Sequence, residues 1–251
     1  MLNSFPAHAW ASSPSRLAIA AAVTLGFAVL ARTLRGVNRS GAVAGGLACF
    51  VLFAATGPTG FATLAALFMM TWISTRLGYR RKLALGLAER REGRNGWQVL
   101  ANLAVAALGS LVFSATGNRV WLVAALAALT EAAADTVASE IGQYRGADAL
   151  FITTWERVPA GTDGGITIPG SAAGMAAGLV ISAVAVVGGL LPQSQFWIPV
   201  AAGFTGMLID SILGATLQRR GWISNQTVNL LATLVAAALA CAILRVVRNF
   251  L

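Results

Sequence analysis

The chain has little charge, one histidine and two cysteines. Of its 251 residues, 11% are charged and 57% are hydrophobic, and the mean hydropathy is +0.73. So low a charge content excludes an ordinary soluble domain of this size. The abundant Ala and Gly are the small residues that let membrane helices approach closely. The composition therefore predicts an all-α polytopic transmembrane helix bundle that forms one integral membrane domain over 1–251.

Histidine and cysteine chemistry is scarce. The single histidine, His8, lies in a short polar N-terminal lead, 1–16, and is predicted to be incidental rather than catalytic. Cys49 and Cys241 lie far apart within apolar segments and have no metal-ligating residue types beside them. They are predicted to be small buried hydrophobic residues.

Apolar stretches long enough to cross about 30 Å of hydrocarbon occur about eight times. They lie at 17–31, 41–57, 59–75, 97–115, 120–138, 171–191, 196–216 and 225–244. Only Gly57 and Pro58 separate the second from the third, which indicates either a tight hairpin or a helix break. The count is therefore seven or eight. The first stretch resembles a signal peptide, but we interpret it as an uncleaved span.

Basic residues are distributed unevenly between the two sides of the predicted bundle. With alternate loops assigned to one side, fourteen of the 18 Lys and Arg residues share that side. The positive-inside rule makes this side cytoplasmic and predicts a multi-pass protein of the cytoplasmic membrane with both termini outside. It holds a basic loop, 76–96, and a glycine-containing loop, 139–170. The net charge of +9 is thus a topology signal, and no nucleic-acid partner is predicted.

Carboxylates stand inside two predicted spans. An acid near the bilayer centre costs on the order of 3 kcal/mol, so such residues normally line a site, form a pair or hold an ion. Glu131, Asp135 and Ser139 are spaced i, i+4, i+8 and share one helix face. Glu140 is predicted at the rim, as a metal ligand or a solvated charge. Asp210 approaches the same cytoplasmic layer from another span.

Carboxamides are predicted in the same layer. Gln98 and Asn102 form one i, i+4 pair near the start of a span, and Asn225 and Asn229 form another. Such pairs can serve only as hydrogen-bond glue between helices. Four helices that deliver acids and amides to one depth nevertheless indicate a single polar site.

Two cytoplasmic loops flank this layer. The basic loop 76–96 indicates an interfacial helix held by anionic lipid, a cationic wall for a phosphorylated ligand, or both. The glycine loop can present backbone amides to an anion, with a helix start predicted near Ser171. The residues predicted to do so are Gly161, Thr162, Gly164 and Gly165.

Five ordered motifs resemble the integral membrane family called domain of unknown function 92. They are GRNGWQVLAN (93–102), EAAADTVASEIG (131–142), PAGTDGGIT (159–167), GMLIDSILGATLQ (206–218) and NQTVNLL (225–231). The resemblance covers roughly 36–244. The family includes transmembrane protein 19 and the phytyl-phosphate kinase of tocopherol synthesis. It implies a membrane kinase that converts an isoprenoid monophosphate to the diphosphate, with CTP or a similar nucleotide as donor.

One departure from the family pattern concerns the glycine loop. Where the family commonly has Asn, this chain has Asp163. The added negative charge weakens simple anion binding by the loop unless a divalent cation intervenes.

The residues and the resemblance together favour phosphoryl transfer, which needs positioning and charge neutralisation. The predicted catalytic residues are Asp135, Asp210 and Asn102. Mg²⁺ is the predicted cofactor, with Asp135 and Asp210 as ligands assisted by Glu131 or Glu140. The residues predicted to bind the isoprenoid phosphate and the nucleotide are Arg94, Gln98, Gly161, Thr162, Gly164, Gly165, Ser211, Asn225 and Asn229. The lipid tail is expected between small-residue helices.

A transporter or flippase for a lipid phosphate or small anion is the alternative. Transporters are often built from repeats, and SGAVAGG (40–46) is weakly similar to GSAAGMAAG (170–178). The acids cluster near the predicted cytoplasmic boundary, where a soluble nucleotide can reach them, and this favours the kinase.

Overall fold

Helices make up most of the chain, as predicted. The computed structural model describes residues 13–145 and 148–250, so His8 lies outside the described residues. The helices are α1 (Pro14–Thr33), α2 (Arg39–Arg76), α3 (Tyr79–Ala84), α4 (Gly96–Thr116), α5 (Arg119–Arg145), α6 (Ile168–Val187), α7 (Trp197–Leu213) and α8 (Asn225–Phe250). A 3₁₀ turn (Gln193–Gln195) precedes α7 and a π turn (Gly214–Gln218) follows it.

Helix starts follow local capping chemistry. Asn95 and Gln98 form a reciprocal capping box at the start of α4, with side-chain contacts of 3.0 and 2.8 Å to each other's backbone amides. The Thr167 hydroxyl accepts from the amide of Gly170 at 3.0 Å. Since Pro169 also suits a first helical turn, α6 begins at Ile168, three residues before the predicted start at Ser171.

Helix α2 folds back on itself. Gly57 has the non-helical angles φ 72° and ψ −164°, which suit a residue without Cβ. The carbonyl of Leu34, just before α2, accepts from Trp72 Nε1 at 3.1 Å and from Arg76 Nη2 at 2.7 Å, both near its end. A straight helix of this length would separate its ends by about 57 Å. The limbs 39–56 and 58–76 are therefore antiparallel.

Seven helices are long and apolar enough to cross a membrane, counted over the described residues. Because α2 is a hairpin with limbs of about 27 Å each, the bundle has eight segments of membrane-spanning length. This is the upper end of the predicted range, and of the two alternatives at Gly57 and Pro58, a tight hairpin or a helix break, the structure has the hairpin.

The predicted end of α5 is wrong. Helix α5 was expected to end near 138 but continues to Arg145, so the first residues of the predicted loop 139–170 are helical. The loop also contains strands β1 (Ala149–Phe151), β2 (Arg157–Val158) and β3 (Gly165–Ile166), which the sequence did not predict. They form an antiparallel sheet in the order β2-β1-β3. The basic loop 76–96 likewise contains the short helix α3.

Four connections meet on one side of the bundle, here called the basic side: 34–38, 77–95, 146–167 and 219–224. Asn38 donates to the carbonyl of Arg94 at 3.0 Å, which joins the first two. The guanidinium of Arg219 lies 4.8 Å from the ring of Phe151, which joins the last two. The segregation of basic residues predicted from the sequence is therefore present in the fold.

Helix α5 is the centre of the bundle and the most buried of the long helices. Glycines of its neighbours lie against its backbone or side chains. A methyl group added at Gly203 of α7 would lie 2.5 Å from Thr130 Cγ2 and 2.9 Å from the amide nitrogen of Glu131. One added at Gly174 of α6 would lie 2.8 Å from the carbonyl oxygen of Ala134. These contacts exclude any larger residue without movement of the helices.

Replacing Gly203 with alanine should therefore destabilise the bundle. We expect a loss of about 1–3 kcal/mol, the usual effect of overpacking, despite the better helix propensity of alanine. The matched control is Gly26→Ala, because nothing lies within 4 Å of a methyl group there. Thermal unfolding in detergent should show a lower melting temperature for Gly203→Ala alone. Equal melting temperatures would contradict the packing described for α5.

Candidate functional site

A polar cavity of about 310 Å³ opens among α4, α5, α7, α8 and the glycine loop on the basic side. Thirteen of the fourteen predicted site residues line it: Arg94, Gln98, Asn102, Asp135, Glu140, Gly161, Thr162, Gly164, Gly165, Asp210, Ser211, Asn225 and Asn229. Glu131 is the exception. The single polar layer predicted from four helices is therefore one continuous space.

Two carboxylates face this cavity from different helices, Asp135 from α5 and Asp210 from α7. Asp135 and Asp163 are both close enough to Asp210 for their negative charges to repel its carboxylate. Within the described part of the chain, the buried Oδ2 of Asp210 meets no hydrogen-bond donor. Three neighbouring acids, one of them with an unpaired oxygen, make a region of negative potential, which favours a cation.

Glu131 lies one turn deeper than Asp135 and does not line the cavity. It is 1% exposed, and neither carboxylate oxygen has a hydrogen-bond donor among the described residues. Its Cγ would lie 2.7 Å from a methyl group at Gly206, so α7 packs directly on it. The predicted stripe of Glu131, Asp135 and Ser139 is correct, but only Asp135 and Ser139 line the cavity. A metal role for Glu131 stays a prediction.

The carboxamides form a hydrogen-bonded wall. Asn102 Nδ2 donates to the carbonyl of Gln98 at 2.8 Å, and Asn229 Nδ2 donates to Asn102 Oδ1 at 3.4 Å. The contact ties α8 to α4 across the cavity. Asn225, one turn before Asn229, lines the same space. These amides therefore connect helices and also present polar atoms to the cavity. The two alternatives predicted from the sequence, hydrogen-bond glue and a polar site, are thus compatible.

Arg94 is the one Lys or Arg among the described residues that line the polar cavity. Its Nη1 lies 3.4 Å from Thr136 Oγ1, and it is close enough to Asp135 to attract that carboxylate. Its Nε lies 3.9 Å from Glu89 Oε2, which also accepts from Gln98 Nε2 at 3.3 Å. The sequence analysis did not single out Glu89. Its position in a basic loop, four residues before the motif that begins at Gly93, was the available signal.

The glycine loop is a braced turn. The amide of Thr162 donates to the carbonyl of Pro159 at 3.2 Å, and that of Gly165 donates to the carbonyl of Thr162 at 2.8 Å. Gly164 has φ +79°, and a methyl group there would lie 2.4 Å from Ala215 Cβ. Two of the predicted amides are thus used inside the loop, and the glycines also allow close contact with the end of α7. Anion binding by this loop stays a prediction.

The cavity suits a metal that also draws ligands from its substrate. No group of three or more His, Cys, Asp or Glu in residues 13–145 and 148–250 is arranged to hold a metal by itself. Mg²⁺ commonly binds through one or two carboxylates, with phosphates and waters completing its shell. Asp135 and the unpaired oxygen of Asp210 match that donor set.

Residues 22–237 match the family described as Integral membrane protein DUF92. The chain belongs to this family. The match includes every residue of the polar cavity, and it agrees with the resemblance seen in the five sequence motifs. As a DUF92 protein with seven long apolar helices, the chain is a multi-pass integral membrane protein.

Relatives of this DUF92 chain come from distant organisms. It is 33% identical over 199 residues to an uncharacterized membrane protein of Synechocystis sp., covering 77% of each chain. It is 29% identical over 232 residues to an uncharacterized membrane protein of Methanocaldococcus jannaschii, covering 91% of this chain and 94% of that one. It is also 29% identical to the chloroplastic protein VTE6 of Arabidopsis thaliana, covering 78% of this chain and 62% of VTE6. No solved structure matches the chain.

Glu140 of the DUF92 chain is held by an ion pair that the sequence did not reveal. Lys82 is fully buried, and its Nζ donates to Glu140 Oε2 and to the carbonyls of Ser74 and Thr75 at 3.0 and 2.9 Å. Thr75 Oγ1 donates to Glu140 Oε1 at 2.9 Å. The compact ammonium with three donors matches three acceptors, as a planar guanidinium would not. Lys82 is the chain's only lysine, which was the available signal.

These contacts exclude one of the two roles predicted for Glu140. It is 8% exposed, so it is not a solvated rim charge. Glu140 follows Thr130 by ten helical residues. Because α5 continues for one unexpected further turn after it, Glu140 lies inside the fold and not at the end of the helix. A metal at Glu140 would have to compete with Lys82 for Oε2, and that role stays a prediction.

Removing Lys82 alone should strongly destabilise the protein. Lys82→Met leaves Glu140 buried without its cation, and we expect a loss on the order of 3–5 kcal/mol. The double variant Lys82→Met/Glu140→Gln removes the buried charge and should recover much of that loss. The matched control is Arg81→Met, since Arg81 is exposed on the same short helix. Thermal unfolding of all three in detergent tests this. A double variant as unstable as Lys82→Met would show that the ion pair is not the anchor.

Proposed function

We propose that this protein is a Mg²⁺-dependent isoprenoid-phosphate kinase. It would transfer a phosphoryl group from CTP or another nucleotide to a prenyl monophosphate, such as phytyl phosphate, to give the diphosphate. The observation that carries the proposal is the convergence of Asp135 and Asp210 on one cavity beside Arg94. The activity implied by the family resemblance is consistent with these groups, because phosphoryl transfer requires charge neutralisation and alignment.

Asp135 and Asp210 would hold the metal from two different helices, α5 and α7. Bound Mg²⁺ would neutralise charge on the nucleotide phosphates as it develops during transfer. The guanidinium of Arg94, attracted towards Asp135, would bind phosphate oxygens that both substrates bring to the cavity.

The amide wall would orient the phosphates. Asn102 and Asn229 are already joined at 3.4 Å, which limits the rotamers of both side chains. Asn225 and Ser211 line the same cavity and can donate to phosphate oxygens. A fixed set of donors reduces the reorganisation needed when the two phosphates align.

The reaction needs no strong general base. The attacking oxygen belongs to the phosphate of the acceptor, which is largely ionised near neutral pH because the second pKa of a phosphate monoester is about 6. The proposed reaction therefore does not depend on histidine, of which the chain has one, His8.

The proposed orientation places the cavity at the cytoplasm. The four connections of the basic side carry most of the Lys and Arg residues, and such loops normally remain cytoplasmic. A soluble nucleotide would then reach Asp210 from water, while a lipid substrate would come from the bilayer. The membrane proposed is the cytoplasmic membrane.

The test is phosphoryl transfer by purified protein with Mg²⁺, labelled CTP or ATP, and a panel of prenyl monophosphates. Asp135→Asn and Asp210→Asn should each lower the rate at least about 100-fold, because metal-based charge stabilisation contributes several kcal/mol and about 1.4 kcal/mol changes a rate tenfold. The matched control is Asp148→Asn, whose side chain is 65% exposed outside the cavity. It should keep the wild-type rate.

Two results would reject the kinase. One is the absence of any diphosphate product from folded wild-type protein with every nucleotide and acceptor. The other is an equal rate in wild type and Asp135→Asn. Counterflow of a lipid phosphate in sealed vesicles without nucleotide, together with either result, would support the transporter instead.

A further inference from the structure

A second cavity, of about 310 Å³, adjoins the polar one and differs from it in character. It lies between α1, the two limbs of α2 and the start of α4, and its inner part is lined by apolar residues and glycines. Those that matter here are Phe27, Gly45, Gly46, Leu64, Phe68 and Leu103. We call it the apolar cavity. No residue predicted from the sequence to bind substrate lies in this inner part.

The two cavities share a wall. Glu89, Arg94, Gln98 and Asn102 line both of them. These four side chains therefore border both spaces, and a ligand whose charged head lies beside Arg94 has the acids and amides on one side and apolar surroundings on the other. The arrangement suits an amphipathic substrate whose polar end reacts and whose apolar end is only bound.

The mouth of the apolar cavity is strongly basic. Five arginines line it: Arg35, Arg76, Arg90, Arg91 and Arg94, with Glu89 as the single acid. Arg76 is fixed by its 2.7 Å bond to the Leu34 carbonyl and by its position 5.5 Å from the Trp72 ring centre. Guanidinium groups bind phosphate oxygens through several donors. The charge therefore indicates that the ligand has an anionic head at the mouth and an apolar part that extends from it into the cavity.

The depth of the apolar cavity is defined by the second limb of α2. Its lining there runs from Arg76 to Leu64, about 18 Å along the helix axis. Phe27, which packs edge-on against Phe61 and Phe68 with ring centres 5.3 Å apart, lies at the inner end. This length accommodates an extended tail of several isoprene units.

We propose that the apolar cavity binds the prenyl tail of the acceptor, with its phosphate at Arg94. The inference rests on the proposed function for the identity of the substrate, but tail binding can be measured without phosphoryl transfer. Gly45 and Gly46 then become determinants of chain length, because their missing side chains leave the space that the tail fills. A methyl group at Gly45 would lie at an ordinary contact distance, 3.6 Å from Val99 Cγ1, so alanine fits there and takes a little of the space, whereas leucine takes much more.

The test is photolabelling in nanodiscs, without nucleotide, by a prenyl monophosphate of three isoprene units with a diazirine on the terminal unit. Peptide mass spectrometry should find adducts in 27–46 or 61–72. Gly45→Leu should reduce this labelling at least about tenfold, the discrimination that steric changes in an apolar pocket give. The matched control is Gly26→Leu, where nothing lies within 4 Å, and it should label like wild type. Gly45→Ala fits without strain and should reduce the labelling less. It takes the place of Gly45→Leu in the test if that variant does not fold.

Competition separates the two sources of an anionic lipid. Unlabelled prenyl monophosphate should abolish the adducts, whereas phosphatidic acid at the same mole fraction should not. Equal competition by phosphatidic acid would overturn the proposal in favour of an ordinary phospholipid site. Adducts elsewhere, or adducts unaffected by both Gly45 variants, would overturn it as well.

Phosphoryl transfer gives an independent readout. If wild type makes diphosphate, Gly45→Leu should shift its preference from four to two isoprene units by about tenfold. Transfer with labelling outside the apolar cavity would refute the tail site and leave the kinase standing. Labelling in the cavity without any transfer would support the tail site and refute the kinase.

Discussion

Close contact between helix backbones around α5 is the constraint on which the rest of this structure depends. In a membrane, apolar surfaces gain little by leaving lipid, so helices associate through close packing. Gly174 and Gly203 let α6 and α7 come within contact distance of the α5 backbone, where any side chain would collide. The acids of α5 are thereby enclosed by protein on several sides. Without this packing, Asp135 would face lipid rather than a polar cavity.

The enclosed acids are balanced unequally. Glu140 meets Lys82 and Thr75, so its charge is compensated and the short helix α3 is anchored to the bundle. Asp135 has Arg94 nearby, but Asp210 keeps an oxygen without a donor among the described residues. The charge of Glu140 is thus neutralised, whereas that of Asp210 is left uncompensated. That difference separates a structural carboxylate from those proposed to bind a metal.

The hairpin in α2 gives the bundle its second space. Because the limbs return to the same side, Arg76 and Arg35 stand together at the mouth of the apolar cavity. Gln98 and Asn102 then form the boundary between apolar and polar surroundings. In the proposed kinase, an amphipathic substrate would come from the apolar cavity and a soluble nucleotide from the polar one.

The sequence by itself determined the helical membrane fold, the segregation of basic loops and the residues of the polar cavity. Hydrophobic length, charge placement and the i, i+4 spacing of acids and amides are local properties, so Asp135 and Asn102 could be assigned without coordinates. Only the tertiary structure decided which partner each buried group meets. Lys82 and Glu140 are 58 residues apart, and no local pattern predicts their contact. The return of α2 at Gly57, the depth of Glu131 and the apolar cavity likewise depend on how distant helices pack, because close packing is set jointly by all the surfaces in contact.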